Sequence, residues 1–265
     1  MRIINKNLLL SLAKGLFIFL CFLAIWHFAV VWLKIKVFIL PSPLKVMDAL
    51  FDPKIAARHN WPRHISATGQ EVVFSFFITF FVGVGLAILI VWSKLLRKLL
   101  MPVVLLFNSI PKICLAPIFI IWFGYGIVPN IIVAVIIAFL PVVINTATGL
   151  EAVEDDLLDL VHYLDASKAQ VFLKIRIPNS LPFIFAGLKI SAALCVAGAI
   201  VGEFIASSRG LGYLLRDAQA FIDTPTIFAC LFLLSFMGMI LFSSISALEK
   251  IIMPWNNKAQ GVENR

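Results

Sequence analysis

Ionisable side chains are the residues most able to do chemistry here, and few of them fall inside the long apolar runs of the sequence. Lys112 lies beside Pro111 in one such run, and Glu203 lies near the end of another. A charge among apolar residues is costly to bury, so it usually faces protein, water or a ligand. Lys112 could therefore attract an anion, or it could pair with a backbone carbonyl at an irregular break. Glu203 could contact a substrate or act in gating.

Other reactive constellations are not found in the sequence. It contains no GxxxxGK[ST] phosphate loop, no HExxH and no GxSxG. The four histidines and four cysteines lack metal-ligand spacing, and we expect the cysteines to pack as small apolar side chains. We predict no catalytic residue, no metal site and no cofactor on this chain. An integral membrane enzyme would need a cluster of polar catalytic groups near one interface, which disfavours that class.

The composition predicts a membrane protein. Hydrophobic residues make up 62% of the 265 positions, charged residues 14%, and there are 24 phenylalanines. A helix that spans the bilayer needs roughly 20 mostly apolar residues. The sequence predicts an all-α protein with six such helices: a first run that reaches Leu33, then Val72–Trp92, Leu99–Phe123, Ile127–Leu150, Phe183–Ala206 and Ile227–Leu248. The net charge is +8, and the lysines and arginines that produce it lie mostly between these runs, where they can meet lipid headgroups. They form no basic stripe typical of nucleic-acid binding.

The spans divide the chain into three parts. Residues 1–64 are predicted to hold the first helix, retained rather than cleaved, and an extracytoplasmic segment with at most a short helix. Residues 65–255 hold five more spans, and residues 256–265 form a tail. Prolines at 102, 111 and 117 are expected to kink the third span. Positive charges favour the side that holds both termini as the inner side.

A polar, patterned segment, Glu151–Pro182, separates the fourth and fifth spans. Leucines recur at helical spacing opposite Asp155, Asp156 and Asp159, and a second amphipathic stretch follows. Asp165 lies at the break and could cap the second helix, and prolines at 178 and 182 are expected to end it and begin the next span. By pattern alone, two such helices could bind lipid, support the helix bundle or dock into a soluble partner.

The residues of this segment resemble the EAA loop of bacterial ABC-importer permeases, EAAxxxG followed after nine residues by IxLP. Asp159-Leu160-Val161, Asp165 and Ile175–Pro178 fall at those spacings. The sequence departs from the motif at Asp159, at both alanines, at Asp165 where the motif has Gly, and at Ile177 where it has Leu. Asp tolerates a left-handed backbone better than most residues, so we expect the turn to survive.

The resemblance covers nearly the whole chain. LPSPLKVMDAL, SIPKICLAPIFIIWFGYG, NSLPFIFAGLKISAAL, GEFIASSRGLGYL and LEKIIMPW are similar to segments of the nitrate/sulfonate/taurine-type permeases. Some members of that group are linked to pyrimidine precursors of thiamine or to flavins. The resemblance leaves a nitrate-like anion, an alkyl sulfonate and a neutral vitamin precursor open as substrates. A self-sufficient secondary transporter is the alternative, disfavoured by the few intramembrane ionisable residues and the lack of paired broken helices.

The resemblance implies a non-catalytic subunit of a bacterial inner-membrane importer with both termini in the cytoplasm. Two separate ABC ATPase subunits would carry ATP and magnesium, an extracytoplasmic binding protein would deliver the solute, and two permeases would form a homodimer. The predicted ATPase-coupling residues are Asp159, Leu164, Asp165, Ala166, Ser167, Ile175 and Pro178.

A stripe of small residues runs along the fifth span. Ser191, Cys195, Gly198 and Gly202 recur at helical spacing, and the last two form a GxxxG. Such a stripe favours close helix packing, and it could also line a solute path at a dimer interface. The pathway or gate candidates are therefore Lys112, Ser191, Gly198, Gly202 and Glu203.

Overall fold

The computed structural model describes residues 6–255, with side chains for residues 14–104, 106–205 and 207–255. This part of the chain is almost wholly helical and contains no strand, so the all-α prediction is confirmed. The helices are α1 Lys6–Trp32, α2 Pro43–Phe51, α3 Pro53–His59, α4 Trp61–Trp92, α5 Lys94–Ser109, α6 Ala116–Phe123, α7 Ile127–Glu151, α8 Asp155–Tyr163, α9 Lys168–Val171, α10 Ile177–Ala206, α11 Leu211–Ala220 and α12 Thr224–Ile252.

Five helical stretches within residues 6–255 are long and apolar enough to cross a membrane. They are Lys14–Trp32, Trp61–Trp92, Ile127–Glu151, Lys168–Ile205 and Thr224–Ile252. A bent pair of helices, α5 and α6, makes a sixth if the two are counted as one span. Hydropathy therefore predicted the number of apolar segments, and the chain is a multi-pass membrane protein.

The predicted third span, Leu99–Phe123, is not one straight helix. Two helices, Lys94–Ser109 and Lys112–Phe123, meet there at an angle of 91°. Pro111 has no N–H to continue the first helix, and it disfavours a helical conformation at Ile110, whose backbone is extended with φ −78° and ψ 131°. A short 3₁₀ turn, Lys112–Leu115, begins the second half. Prolines at 102 and 117 are tolerated inside α5 and in the first turn of α6, respectively, so only Pro111 coincides with the break.

The predicted break at Pro178 is wrong. The chain runs helically from Lys168 to Ile205, because a π-type turn, Phe172–Arg176, joins α9 to α10. In this turn the N–H of Ile177 bonds the carbonyl of Phe172, five residues back. Pro178 then falls in the first turn of α10, where a missing N–H costs little. The second helix of the polar segment, α9, and the fifth span are thus one continuous helix.

The polar segment Lys34–Arg63 holds two short helices, α2 and α3, rather than at most one. The Asp52 carboxylate caps α3 by accepting from the N–H of Lys54 at 2.8 Å. α4 begins at Trp61, well before the predicted start at Val72, with Pro62 in its first turn. Residues 61–71 are therefore part of a long helix and not of a loop.

The described residues divide into two compact units, one containing residues up to 62 with 214–233 and one containing 63–213 with 234 onward. In the first unit, the Trp61 indole donates to the carbonyl of Ala49 at 3.2 Å, and Thr224 donates to the carbonyl of Phe38 at 2.8 Å. The His59 ring lies 3.3 Å from the hydroxyl of Thr226, and burial lowers the pKa of His59. In the second unit, α7 and α10 form the core. The three-part division predicted from the sequence stays a prediction, and its tail, 256–265, lies outside the described residues.

Candidate functional site

The small residues of α10 face α7 of the same chain. The Ser191 hydroxyl donates to the carbonyl of Ala138 at 2.6 Å. A Cβ on Gly198 would lie 2.5 Å from Cα of Ala134, and a Cβ on Gly202 would lie 2.8 Å from Cα of Asn130. The stripe therefore serves close helix packing, and its role in a pathway stays a prediction.

Glu203 lies in an enclosed polar network, although the sequence places it near a span end, where solvation would be easy. Its side chain is 0% exposed. One carboxylate oxygen accepts from the Thr68 hydroxyl and the other from the N–H of Gly212, both at 2.6 Å. The Thr68 hydroxyl in turn accepts from the N–H of Leu211 at 2.8 Å. Glu203 thus holds α4 and the turn that begins α11, and any role in gating or substrate contact stays a prediction.

A cavity of about 630 Å³ lies at the break between α5 and α6, a size typical of small-molecule sites. Its lining comes from the break, from α7 and from α10: Asn108, Ser109, Ile110, Pro111, Lys112, Ile113, Ile137, Leu140, Pro141, Leu194, Ala197 and Val201. The Lys112 ammonium lies 3.4 Å from Oδ1 of Asn108. Asn108, Ser109 and Lys112 supply the polar side chains of this mostly apolar space.

Lys112 and Glu203 are therefore not brought together. Lys112 lines the cavity, whereas Glu203, Ser191, Gly198 and Gly202 are absent from its lining. The residues that α10 contributes to the cavity are Leu194, Ala197 and Val201, on a different face from the small-residue stripe. Another intramembrane cation, Lys189, forms an ion pair with Glu249 on α12.

The residues predicted to couple to an ATPase lie on α8, in the turn between α8 and α9, in the π-type turn and at the start of α10. Asp165 adopts the left-handed conformation with φ +53°, as expected where the motif has Gly. It does not cap α9, however. Ser167 does, because its hydroxyl accepts from the N–H of Gln170 while the Gln170 side chain accepts from the N–H of Ser167.

This segment is fastened to the ends of the long helices. The Lys168 ammonium donates to the carbonyl of Trp92 at 2.5 Å and lies 4.8 Å from the centre of its ring. Phe172 is buried edge-on against the same ring. Arg176 donates to the carbonyl of Leu150 at 3.1 Å. α9 and the π-type turn therefore contact the C-terminal ends of α4 and α7.

The outer surface of the segment is apolar and uncovered. Leu160 is 55% exposed, Leu164 is 68% exposed and Tyr163 is 87% exposed. Asp159 and Ser167 are exposed beside them, Ala166 and Ile175 are half-buried, and Pro178 is exposed at the start of α10. An exposed apolar surface at a polar turn indicates an interaction site.

Sequence reasoning missed the partners of Glu203. Thr68, Glu71 and Asn130 are fully buried, and the Asn130 amide donates to Glu71 at 2.9 Å. The only signal in the sequence was the placement of Thr68 and Glu71 one turn apart, next to a predicted span. Their contacts with residues 59 and 135 positions away depend on helix packing.

The described residues thus form a multi-pass helical bundle with a broken span, a cavity at the break and an exposed apolar turn between two of the spans. The chain belongs to the family of binding-protein-dependent transport system inner membrane components, whose pattern matches residues 79–258. It is a membrane-spanning subunit of an ABC importer.

Named relatives match nearly the full chain. The formylaminopyrimidine transport permease protein of Halalkalibacterium halodurans is 32% identical, over 91% of this chain and 94% of its own. The riboflavin transport system permease protein of Chloroflexus aurantiacus is 31% identical, over 88% and 86%. A putative aliphatic sulfonates permease of Bacillus subtilis is 27% identical, over 94% and 89%.

A solved structure supports the fold. The inward-facing MetNI methionine ABC transporter matches 69% of this chain and 94% of its own chain, with a TM-score of 0.57 and 17% identity. At that identity the similarity concerns the fold alone.

Proposed function

We propose that this chain forms the translocation pathway for a small heteroaromatic solute and takes its energy from ATP hydrolysis on partner subunits. The observation that supports coupling to the ATPase subunits is the exposed apolar turn formed by Tyr163 and Leu164 beside α9. Its fixed attachment to α4 and α7 would transmit a movement of that turn to the long helices. Two ATPases that bind ATP and magnesium, two copies of this chain and one extracytoplasmic binding protein would form the complex, with both termini of this chain in the cytoplasm.

The proposal of a heteroaromatic solute rests on the cavity and on the names of the relatives. Two of the relatives above 30% identity are named for heteroaromatic solutes, a formylaminopyrimidine and riboflavin, whereas the sulfonate permease is 27% identical. The cavity suits such a solute, because its walls are mainly apolar and its polar groups include the Lys112 ammonium and the Asn108 amide. Apolar walls would take the ring, and the ammonium would donate to a ring nitrogen or carbonyl.

Coupling is tested at Leu164. Leu164→Glu places a charge on the exposed apolar turn, the proposed docking surface for the ATPase subunit. We therefore expect the ATPase subunit to be lost when the tagged chain is purified in mild detergent. ATP-dependent uptake should also be abolished. Leu164 is the sharper probe than Ala166, which is half-buried and lines a cavity inside the segment. Leu44→Glu is the matched control, since Leu44 is 63% exposed on α2.

The Leu44→Glu variant should keep the ATPase. If the Leu164→Glu variant also keeps the ATPase and its uptake, the docking surface is elsewhere. Uptake by vesicles that hold this chain alone, without ATP, would instead indicate a secondary transporter.

The pathway is tested at Lys112. Lys112→Gln removes a charged donor from the cavity, and a hydrogen bond to a charged group is worth about 1.5–3 kcal/mol, so we expect uptake of a labelled aminopyrimidine to fall about tenfold or more. Lys250→Gln, at an exposed lysine near the end of α12, is the control and should leave uptake unchanged. Unchanged uptake in the Lys112→Gln variant would remove this cavity from the pathway, and uptake of an alkyl sulfonate in place of the pyrimidine would correct the substrate class.

A further inference from the structure

Two buried carboxyl groups, Glu71 of α4 and Glu203 of α10, lie side by side in the second unit. Glu71 is 1% exposed and Glu203 is 0% exposed. Thr68, one turn before Glu71 on α4, donates to Glu203 at 2.6 Å, so the two carboxyl groups belong to one buried cluster. Two ionised carboxylates in such a buried site would repel each other strongly, because the protein interior screens charge poorly.

The two groups have very different surroundings. Glu203 receives hydrogen bonds from the Thr68 hydroxyl and from the N–H of Gly212, which suits a charged acceptor. Glu71 receives one, from the Asn130 amide to Oε1, and its Oε2 has no donor among the described residues. A buried carboxylate oxygen without a donor is costly, unless that oxygen carries a proton and is itself the donor.

The charged and polar groups nearby are compatible with a Glu71–Glu203 pair that holds one proton. From the loop after α10, Arg209 is close enough to interact electrostatically with Glu71. From α4, the His64 ring has Nδ1 2.9 Å from the carbonyl and 3.0 Å from the N–H of Gly210, and it stacks on Tyr213. From α7 comes the neutral Asn130. A pair that holds one proton carries a single negative charge, which Arg209 can offset.

We propose that Glu71 and Glu203 form a binding site for one proton, carried by Glu71 and donated to the Glu203 carboxylate. The proton joins α4, α7 and α10 at one point, because Glu71 also accepts from Asn130. It leaves Glu203 free to hold the start of α11 through Gly212. The turn at Gly210 also packs directly against the Glu203 carboxylate, since a Cβ on Gly210 would lie 2.1 Å from Cδ of Glu203.

The two carboxyl groups can be told apart by matched substitutions in the full chain. Glutamine has the shape of a protonated glutamic acid and can donate where that acid donates. Glu71→Gln should therefore keep the thermal midpoint and the uptake of the wild type. Glu203→Gln brings an NH₂ group against the donors of Thr68 and Gly212, so we expect its midpoint to fall by about 5 °C or more.

A pH series gives a second readout. As the pH is raised, the wild type should lose stability because the shared proton leaves, whereas Glu71→Gln, which has no proton to lose, should lose less. The infrared difference spectrum of wild type minus Glu71→Gln should also show the carbonyl stretch of a protonated carboxyl group, and this measurement does not depend on whether Glu203→Gln folds.

Three results would overturn the proposal. The first is an equal loss of stability in both variants, or a loss in Glu71→Gln alone. The second is the absence of the protonated-carboxyl band from the difference spectrum. The third is a rise in the wild-type midpoint on addition of sodium at fixed pH that Glu71→Gln lacks, because a cation would then occupy the site.

Discussion

Gly198→Ala is expected to destabilise the protein by about 2–3 kcal/mol, the upper part of the range for overpacking a core. The new Cβ would lie 2.5 Å from Cα of Ala134 and 3.1 Å from its Cβ. The nearest atom belongs to the backbone of α7, so no side-chain rotation can relieve the overlap, and the two central helices must move apart. The measurements are the thermal midpoint in detergent and the amount of protein in the membrane.

Gly85→Ala is the control for Gly198→Ala. Gly85 also lies inside a membrane helix, α4, but a Cβ there would meet no atom within 4 Å. Alanine loses less backbone entropy than glycine on folding, so this variant should be neutral or slightly stabilised. Equal midpoints for the two variants would mean that α7 and α10 are not in the close contact described above.

The sequence was sufficient for features that depend on local chemistry. Runs of apolar residues predicted the spans, because their length and composition alone decide whether a helix can cross the bilayer. Three prolines were expected to kink the third span through their missing N–H groups, and only Pro111 coincides with the break. Asp165 predicted a left-handed turn, because the need for that backbone is local and aspartate is among the residues that tolerate it.

For other local features the sequence allowed two structures of similar merit and did not decide between them. Both Asp165 and Ser167 can cap a helix, and the choice depends on a one- or two-residue shift in where α9 begins. A proline such as Pro178 can end one helix or lie in the first turn of the next. Here the π-type turn before it continues the helix, so Pro178 lies in the first turn of α10. A π-type turn has no sequence signature that would have predicted it.

The polar network could not be predicted, since it is assembled from helices distant in sequence. Thr68 and Glu71 look unremarkable at the edge of a predicted span, and Glu203 looks solvated at the end of another. Only the packing of α4, α7 and α10 brings them into one buried cluster. The same packing turns the small residues of α10 toward α7 and its larger Leu194 and Val201 toward the cavity.

Gly210→Ala should have a still larger effect, because two penalties coincide at one position. Gly210 has φ +112°, a conformation that side chains rarely adopt and that costs on the order of 1–3 kcal/mol. A Cβ there would also lie 2.1 Å from Cδ and 2.2 Å from Oε1 of Glu203. Since Glu203 is fully buried, its carboxylate cannot turn away to solvent and would lose the hydrogen bonds from Thr68 and Gly212. We expect little folded protein in the membrane and no uptake.

Gly124→Ala separates the two penalties. Gly124 has φ +75°, also in the left-handed region, but a Cβ there would meet nothing within 4 Å. Its ψ of −172° places it in a region that glycine almost alone adopts, so this variant should show backbone strain alone, on the order of 1–3 kcal/mol, and should remain folded. If Gly210→Ala were no worse than Gly124→Ala, as judged by thermal midpoint and membrane yield, the turn at Gly210 would not be closely packed on Glu203. A much larger loss at Gly210 would instead show that the buried carboxylate and this turn stabilise each other, because the only added term is the overlap with Glu203.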